Sequence, residues 1–241
     1  MNTRQTLAII IILSLISAVC CIATASSRTT AVPDFEKIKS ETLNPKSEYY
    51  YPRLMEAYLS NDTTMTGDQY HYLYYGTVFQ EDYNPYRPDP FAAEIKAAEP
   101  LYNKNEALSR SEKEQIRNVA VKALSNNPFN IKQLTYLVYA YEQAGKQNLA
   151  KIWKHKLNNI LLTISRSGTG ADSENAIVIV DPMHEFDYFN IAGSTVEKQT
   201  FEEPYYEHIT VKAPKAKNTK EYWFDLHQIL EQYYKKHPSE L

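Results

Sequence analysis

The spacing of apolar residues changes once along this chain, near residue 170, and this change limits the folds that the chain can adopt. Up to residue 165, apolar side chains recur every three or four positions, as on one face of an α-helix. After a segment rich in Gly, Ser and Thr at 165–175, they form β-branched runs or alternate with polar residues, which is typical of strands. Helices followed by strands predict an α+β fold.

Helix starts are marked most clearly by two capping boxes, Thr66 with Gln69 and Ser109 with Glu112. Gly145 has the position of a left-handed C-cap before the longest predicted helix. Its apolar residues lie on one face: Ala150, Trp153, Leu157, Ile160, Leu161 and Ile164. Further helices are predicted after Pro33, after Tyr51, over 91–98 and before Gly145.

The last third of the chain predicts a small sheet of three or four strands, mainly antiparallel. A buried strand is expected at 176–180, a hairpin at 194–201 and 206–213, and a last strand at 221–226, with a closing helix at 227–236. We therefore divide the mature chain into a helical part, 26–170, and a sheet with a terminal helix, 171–241. We expect the two parts to pack as one unit.

The N-terminus has the features of an export signal. Arg4 precedes an apolar run at 7–19, and Ala23-Thr24-Ala25 gives the small-x-small pattern of a cleavage site. The apolar run is too short for a comfortable bilayer span. We expect a signal peptide at 1–25, cleavage after Ala25, and a periplasmic or envelope-associated product.

Both cysteines, Cys20 and Cys21, lie in this segment. The alternative to cleavage after Ala25 is lipidation at one of them, and this is the one route to a membrane that the sequence suggests. The mature part would keep no disulfide and no thiolate chemistry. Loss of Arg4 leaves 25 basic against 29 acidic side chains, and this balance argues against a nucleic-acid partner.

One stretch of the helical part, 123–150, combines small residues, a Gly and a Pro at regular positions. These are Ala123, Pro128, Leu137, Tyr141, Gly145 and Ala150. The stretch resembles a tetratricopeptide helix pair, although Val138 and Leu157 depart from that pattern and no upstream copy is clear. The resemblance implies a way of packing two helices and a peptide-binding groove.

A second resemblance covers nearly the whole mature chain. Its motifs are Tyr49-Tyr50-Tyr51-Pro52-Arg53-Leu54-Met55, Asp62-Thr63-Thr64, Tyr74-Tyr75-Gly76, Phe79-Gln80-Glu81-Asp82-Tyr83-Asn84-Pro85-Tyr86, Gly168-Thr169-Gly170 and His184-Glu185-Phe186-Asp187. The chain resembles an exported bacterial family known as domain of unknown function 4919. The resemblance implies an envelope location in a Bacteroides-type bacterium and carries no activity.

Tyrosine is unusually frequent, with 20 Tyr against 8 Phe, and it provides the first candidate site. A polar group ringed by Tyr is typical of glycan and peptide clefts, and loops often carry such sites. The candidate ligand-binding residues are Glu81, Asp82, Tyr83, Tyr86 and Arg87, with His71 and Tyr75 from the preceding helix. The alternative is that these side chains only fix an irregular loop to its neighbours.

The second candidate site is the group Asp181, His184, Glu185 and Asp187. One imidazole and carboxylates can bind a divalent metal, but the spacing fits no zinc pattern, and the alternative is a polar turn after Val180. We expect no cofactor.

Catalytic motifs are missing from the sequence, which has no G-x-S-x-G elbow and no mature cysteine. Catalysis is left open, and the sequence favours a non-catalytic module that binds an envelope protein or a peptide. The alternative is the binding or hydrolysis of glycan or cell-wall fragments in the periplasm.

Overall fold

The computed structural model describes residues 30–102, 104 and 106–240, and this part of the chain contains nine α-helices and four β-strands. The helices are α1 (Phe35–Thr42), α2 (Tyr51–Leu59), α3 (Gly67–Gly76), α4 (Ala92–Tyr102), α5 (Arg110–Asn126), α6 (Ile131–Gln143), α7 (Gln147–Ser167), α8 (His184–Asn190) and α9 (His227–Lys236). The strands are β1 (Ile177–Val178), β2 (Thr195–Glu202), β3 (Tyr206–Lys212) and β4 (Lys220–Asp225). The predicted α+β fold is confirmed, with most helices first, then the sheet and a terminal helix.

The described residues form two compact units. The helical unit is one continuous segment, Arg87–Leu157, and contains α4, α5, α6 and the first part of α7. The mixed unit joins two separate segments, 30–86 and 158–240, and contains α1 to α3, the end of α7 and the whole sheet. The change of apolar spacing near residue 170 lies inside the mixed unit.

The helical unit follows the predicted capping signals. Ser109 accepts a hydrogen bond from the N–H of Glu112, whose carboxylate accepts one from the N–H of Ser109, so the capping box is formed. Gly145 has a φ of +70°, where a residue without Cβ is favoured. The core of this unit includes Leu108, Ile116 and Ala140, against which Leu101, Tyr102, Tyr136 and Tyr139 pack.

The mixed unit explains much of the tyrosine content, because several of its tyrosines are core residues. Four are almost fully buried: Tyr58, Tyr70, Tyr74 and Tyr75. The rings of Tyr58 and Tyr70 meet edge to face with centroids 6.1 Å apart, a favourable arrangement of aromatic quadrupoles. At Gly76 a Cβ would lie 2.6 Å from Thr42 Cγ2, so glycine permits the close approach of α1 and α3.

The sheet has the strand order β1-β4-β3-β2, with β1 parallel to β4 and the other neighbours antiparallel. The predicted hairpin is confirmed as β2 and β3, and the closing helix is α9. Strand β1 is shorter than the predicted 176–180, because only Ile177 and Val178 pair with β4. The whole segment is nevertheless buried, which explains its continuous apolar character.

One element differs from the expectation. Residues 184–190 form the helix α8 and not a polar turn, and the turn is confined to the residues just before it. This helix buries His184, Glu185 and Asp187 together with Phe189, so its inner face is mostly polar and shows no apolar periodicity.

No helix in residues 30–102, 104 and 106–240 is long and apolar enough to cross a membrane. The proposed signal segment, 1–25, with Cys20 and Cys21, lies outside the described residues.

Candidate functional site

The two sites predicted from the sequence lie next to each other in the mixed unit. The hydroxyl of Tyr83 donates a hydrogen bond of 2.8 Å to the carbonyl of Val180, which joins the loop at 80–86 to the segment before α8. Burial raises the pKa of Tyr83 well above its ordinary value, so the hydroxyl keeps its proton and remains a donor.

Lys236, the last residue of α9, fixes the backbone of the same loop. Its Nζ lies 2.6 Å from the carbonyl oxygen of Gln80 and 3.1 Å from those of Glu81 and Tyr83. The ammonium group also lies 5.6 Å from the centroid of the Tyr83 ring, within the range of a cation–π contact. The side chains of Glu81 and Asp82 are exposed on this fixed backbone.

Tyr86 is the exposed tyrosine of the loop, with 45% of its surface accessible. Its ring meets that of Tyr233 edge to face at 4.8 Å. Burial raises its pKa first, and the charges of Tyr234, Glu207 and Glu185 raise it further, so Tyr86 lies within electrostatic range of these groups. Arg87, the next candidate, is the first residue of the helical unit.

His184 is buried beside Tyr74, and its Nδ1 lies 2.7 Å from the Tyr74 hydroxyl. That hydroxyl also accepts a bond of 3.4 Å from the N–H of Val180, and it donates to Nδ1 when the His184 proton is on Nε2. The Nε2 of His184 lies 3.9 Å from a carboxylate oxygen of Asp181. These contacts favour the tautomer that carries its proton on Nε2.

Glu185 and Glu207 form a carboxyl pair in which Glu185 is buried and Glu207 is half-buried, and the exposed Gln199 lies beside them. The Gln199 amide donates a bond of 2.7 Å to Glu185 Oε1, and the same side chain acts to lower the pKa of Glu207. In the β2–β3 register Gln199 faces Ile209, so Glu207 is its diagonal neighbour on the same face of the sheet. Among the described residues, neither the buried Glu185 Oε2 nor Glu207 Oε2 has a hydrogen-bond partner.

The environment of this carboxyl pair favours the protonated form. Burial, followed by the charge of Glu207, raises the pKa of Glu185 to about 8, and burial also raises the pKa of Glu207. Two neighbouring carboxyl groups, one of them buried, do not readily both ionise, because the like charges repel and a charged Glu185 would lack hydration. Near neutral pH, Glu185 is therefore an uncharged carboxylic acid that can donate a proton or a hydrogen bond.

The side chains of the predicted metal site contact different partners and do not converge on one point. His184 contacts Tyr74, whereas Glu185 contacts Gln199. Within the part of the chain that the structure describes, no three His, Cys, Asp or Glu side chains are grouped as metal ligands.

Tyr75 and His71, the other candidates, lie in the interior of the mixed unit. Tyr75 is completely buried, and its hydroxyl donates to the carbonyl of Val178 at 3.2 Å. His71 lines a cavity of about 20 Å³ together with Asp68 and Arg166, a space for about one water molecule. Burial lowers the pKa of His71, which keeps it neutral near pH 7.

A cleft that the sequence analysis did not select lies in the helical unit, between the first half of α5 and the end of α6. It has a volume of about 370 Å³ and is lined by four cationic side chains and one carboxylate: Arg110, Lys113, Arg117, Lys146 and Glu114. We call it the basic cleft. Spacings of three and four along α5 place three of the cations on one helix face, and this pattern is visible in the sequence.

A larger opening of about 900 Å³ adjoins the basic cleft and extends along α5 beside α4. The two share Glu114, Arg117 and Tyr141, so they form one continuous groove, which we call the α5 groove. Its far part is lined by Glu94 and Ala97 of α4 and by Val121 and Lys122 of α5, among others.

Residues 36–235 match a family model described as "Domain of unknown function (DUF4919)". The chain belongs to this family. Comparison of the chain with the curated proteins and with the solved structures found no match.

The matched range of the DUF4919 domain spans both units. It includes the carboxyl pair with its Tyr86 loop and the whole α5 groove. Both arrangements are therefore parts of the domain itself.

Proposed function

We propose that this protein is an exported, non-catalytic interaction module that binds an extended peptide segment of another protein in the α5 groove. The observation that carries the proposal is the continuity of the two openings along one helix. Helical rise places Arg110 and Lys122 about 18 Å apart along the axis of α5. An extended peptide of about five or six residues covers this distance.

The helix pair that forms the groove supports the proposal. Helix α5 ends at Asn126, α6 begins at Ile131, and Gly145 turns the chain into α7. We infer that this arrangement is tetratricopeptide-like, because the small residues Ala120, Ala123 and Ala140 are buried where the helices pack. Short loops between such helices leave their outer grooves open to a partner.

Export from the cytoplasm is the second part of the proposal, and it rests on Arg4, the apolar run at 7–19 and the Ala23-Thr24-Ala25 site. Mass spectrometry of the protein isolated from its native cells tests it. A chain that begins at Ser26 supports cleavage after Ala25, and a lipid-modified Cys20 or Cys21 supports anchoring in a Bacteroides-type envelope. A chain that retains residues 1–25 contradicts export by either route.

Site-specific photo-cross-linking in cells tests the interaction. A photoreactive amino acid at Gln115, an exposed residue of the α5 groove, should capture a defined partner. The same amino acid at the exposed Lys151 on α7 is the matched control, because it does not line the groove. Identical products from both positions would contradict binding in the groove.

A second candidate function is the binding or hydrolysis of glycan fragments in the mixed unit. The observation that favours it is the exposed Tyr86 close to Glu185 and Glu207, since an aromatic ring and a protonated carboxyl are typical of glycan sites. Calorimetric titration with cell-wall oligosaccharides tests it. Tyr86→Ala should abolish binding without unfolding the protein, and unchanged binding contradicts this site.

A further inference from the structure

The two ends of the α5 groove differ in charge. At the basic cleft, Arg110, Lys113, Arg117 and Lys146 face a single carboxylate, Glu114. Arg110 and Glu114 are 3.9 Å apart, at the outer limit of an ion pair. In the described part of the chain, the other three cations form no ion pair, so this end of the groove carries an excess of positive charge.

The far end of the groove is electrically balanced and partly apolar. Lys122 and Glu94 form an ion pair of 2.7 Å that neutralises both charges. Beside this pair lie Ala97 and Val121, and 45% of the Val121 surface is exposed. This end therefore offers small apolar contacts and no net charge.

We infer that the α5 groove takes an acidic peptide segment whose Asp or Glu side chains lie against Lys113, Arg117 and Lys146. The small or apolar residues of the same segment lie toward Ala97 and Val121. This inference rests on the proposed function and adds the chemical class and the placement of the ligand.

The cations select carboxylates for two reasons. The guanidinium of Arg117 can bind a carboxylate through two parallel hydrogen bonds, and the ammonium groups of Lys113 and Lys146 add charge-assisted bonds. All three side chains stand at the rim of a concave cleft, where a bound peptide displaces water and strengthens the attraction.

The net charge of the protein is negative, so the attraction of an acidic peptide is confined to the basic cleft. The whole chain has a formal net charge of −3, so an acidic peptide is weakly repelled elsewhere. A binding segment is therefore placed by the basic cleft and not by a general attraction to the protein.

The test compares two fluorescein-labelled hexapeptides by fluorescence anisotropy with the full chain. One peptide has three Glu followed by three residues chosen from Ala and Val, and the other has Gln in place of Glu. Both are also made in the reverse order, because the groove does not fix the chain direction. We expect at least tenfold tighter binding of an acidic peptide, and we expect added salt to reduce this advantage.

The double variant Lys113→Gln and Arg117→Gln should lose about tenfold in affinity for the acidic peptide and should leave the Gln peptide unaffected. The control variant, Lys96→Gln and Lys151→Gln, removes the same charge at exposed positions outside the groove and should behave like the wild type. Thermal melts of both variants establish that they are folded.

Each outcome separates the inference from the proposed function. Equal affinity for the Glu and Gln peptides overturns the acidic specificity and leaves a peptide-binding groove. Binding of neither peptide, in either order, counts against both. Equal losses in the groove variant and in the control variant show a general charge effect and overturn the inference.

Discussion

The two groups of charged side chains in this protein differ in their exposure to solvent. In the mixed unit, Glu185 is 1% exposed, and its carboxyl group contacts Gln199 beside Glu207. In the helical unit, the cations of the basic cleft line an open space of about 370 Å³. The first group is enclosed by its own unit, whereas the second faces solvent.

Because of this difference in exposure, substitutions in the two groups should have different consequences. A buried polar group has no water to replace a lost partner, so its removal changes the stability of the fold. An exposed charge is hydrated in the free protein, so its removal changes the affinity for a ligand and hardly affects folding. The residues that are most conspicuous in the sequence divide between the two kinds. His184, Glu185 and Asp187 are buried, whereas Glu81, Asp82 and Tyr86 are exposed.

The largest expected difference in stability between the two units comes from removing one tyrosine ring in each. Tyr75→Ala deletes a fully buried ring and its hydroxyl bonds, and we expect a loss of about 3–5 kcal/mol in the free energy of unfolding. Tyr141→Ala removes a half-buried ring that lines the α5 groove, and we expect a loss of no more than about 1 kcal/mol. Urea denaturation measures both losses. Equal losses would contradict the expectation that the buried Tyr75 stabilises the fold more than Tyr141 does.

The pH dependence of stability gives the second test. The folded state raises the pKa of Glu185 from its ordinary 4.5 to about 8. Between these values the folded chain holds a proton that the unfolded chain has released, so the free energy of unfolding falls as the pH rises. From pH 5 to pH 7 this amounts to about 2–3 kcal/mol.

Glu185→Gln has no carboxyl proton to release, so we expect the variant to gain about 2–3 kcal/mol relative to wild type between pH 5 and pH 7. Urea denaturation at pH 5, 6 and 7 measures the difference. The control is Thr66→Ala, which removes no titratable group, so its difference from wild type should not vary with pH. A difference for Glu185→Gln that is constant with pH would show that the carboxyl is already ionised in the folded protein.

Lys236 provides a smaller effect. Lys236→Met removes the exposed ammonium group that contacts three carbonyl oxygens of the loop at 80–83. Because water competes for these bonds, we expect a loss of about 1–1.5 kcal/mol. Lys235→Met removes only an exposed ion pair with Glu231 and should cost less than about 1 kcal/mol. Thermal unfolding compares the two, and similar melting temperatures would mean that the loop does not depend on Lys236.

The smallest effect should be the same in both units. Thr66→Ala in α3 and Ser109→Ala in α5 each break a capping box, and each should cost about 1 kcal/mol. Chemical denaturation measures both losses. A cost near zero for either one would mean that water replaces the lost bond at that helix end.

Local signals predict the elements of this fold well. The capping boxes at Thr66 and Ser109, the β2–β3 hairpin and the closing helix α9 all follow from residues close together in the chain. Helix α8 does not, because its buried face carries His184 and Glu185, and an apolar period cannot reveal polar residues that the fold encloses.

The candidate sites depend on contacts that local patterns do not contain. Glu185 meets Glu207 across 22 positions, and only the β2–β3 pairing brings Gln199 beside both. In the α5 groove, the helical spacing of Lys113 and Arg117 is present in the sequence. The arrival of Lys146 at the same cleft depends on the turn after α6.

The division of the chain into two units also bears on the order in which native contacts form during synthesis. Among the described residues the helical unit is one continuous segment, so the contacts within it can form once residue 157 has been synthesised. In the mixed unit, Tyr75 bonds to Val178 across 103 positions, and Gln80 meets Lys236 across 156. A growing chain adds about 5–20 residues per second, so the segment at 30–86 waits several seconds for these partners. Some native contacts of the earliest described residues therefore form only after the end of the chain has been synthesised.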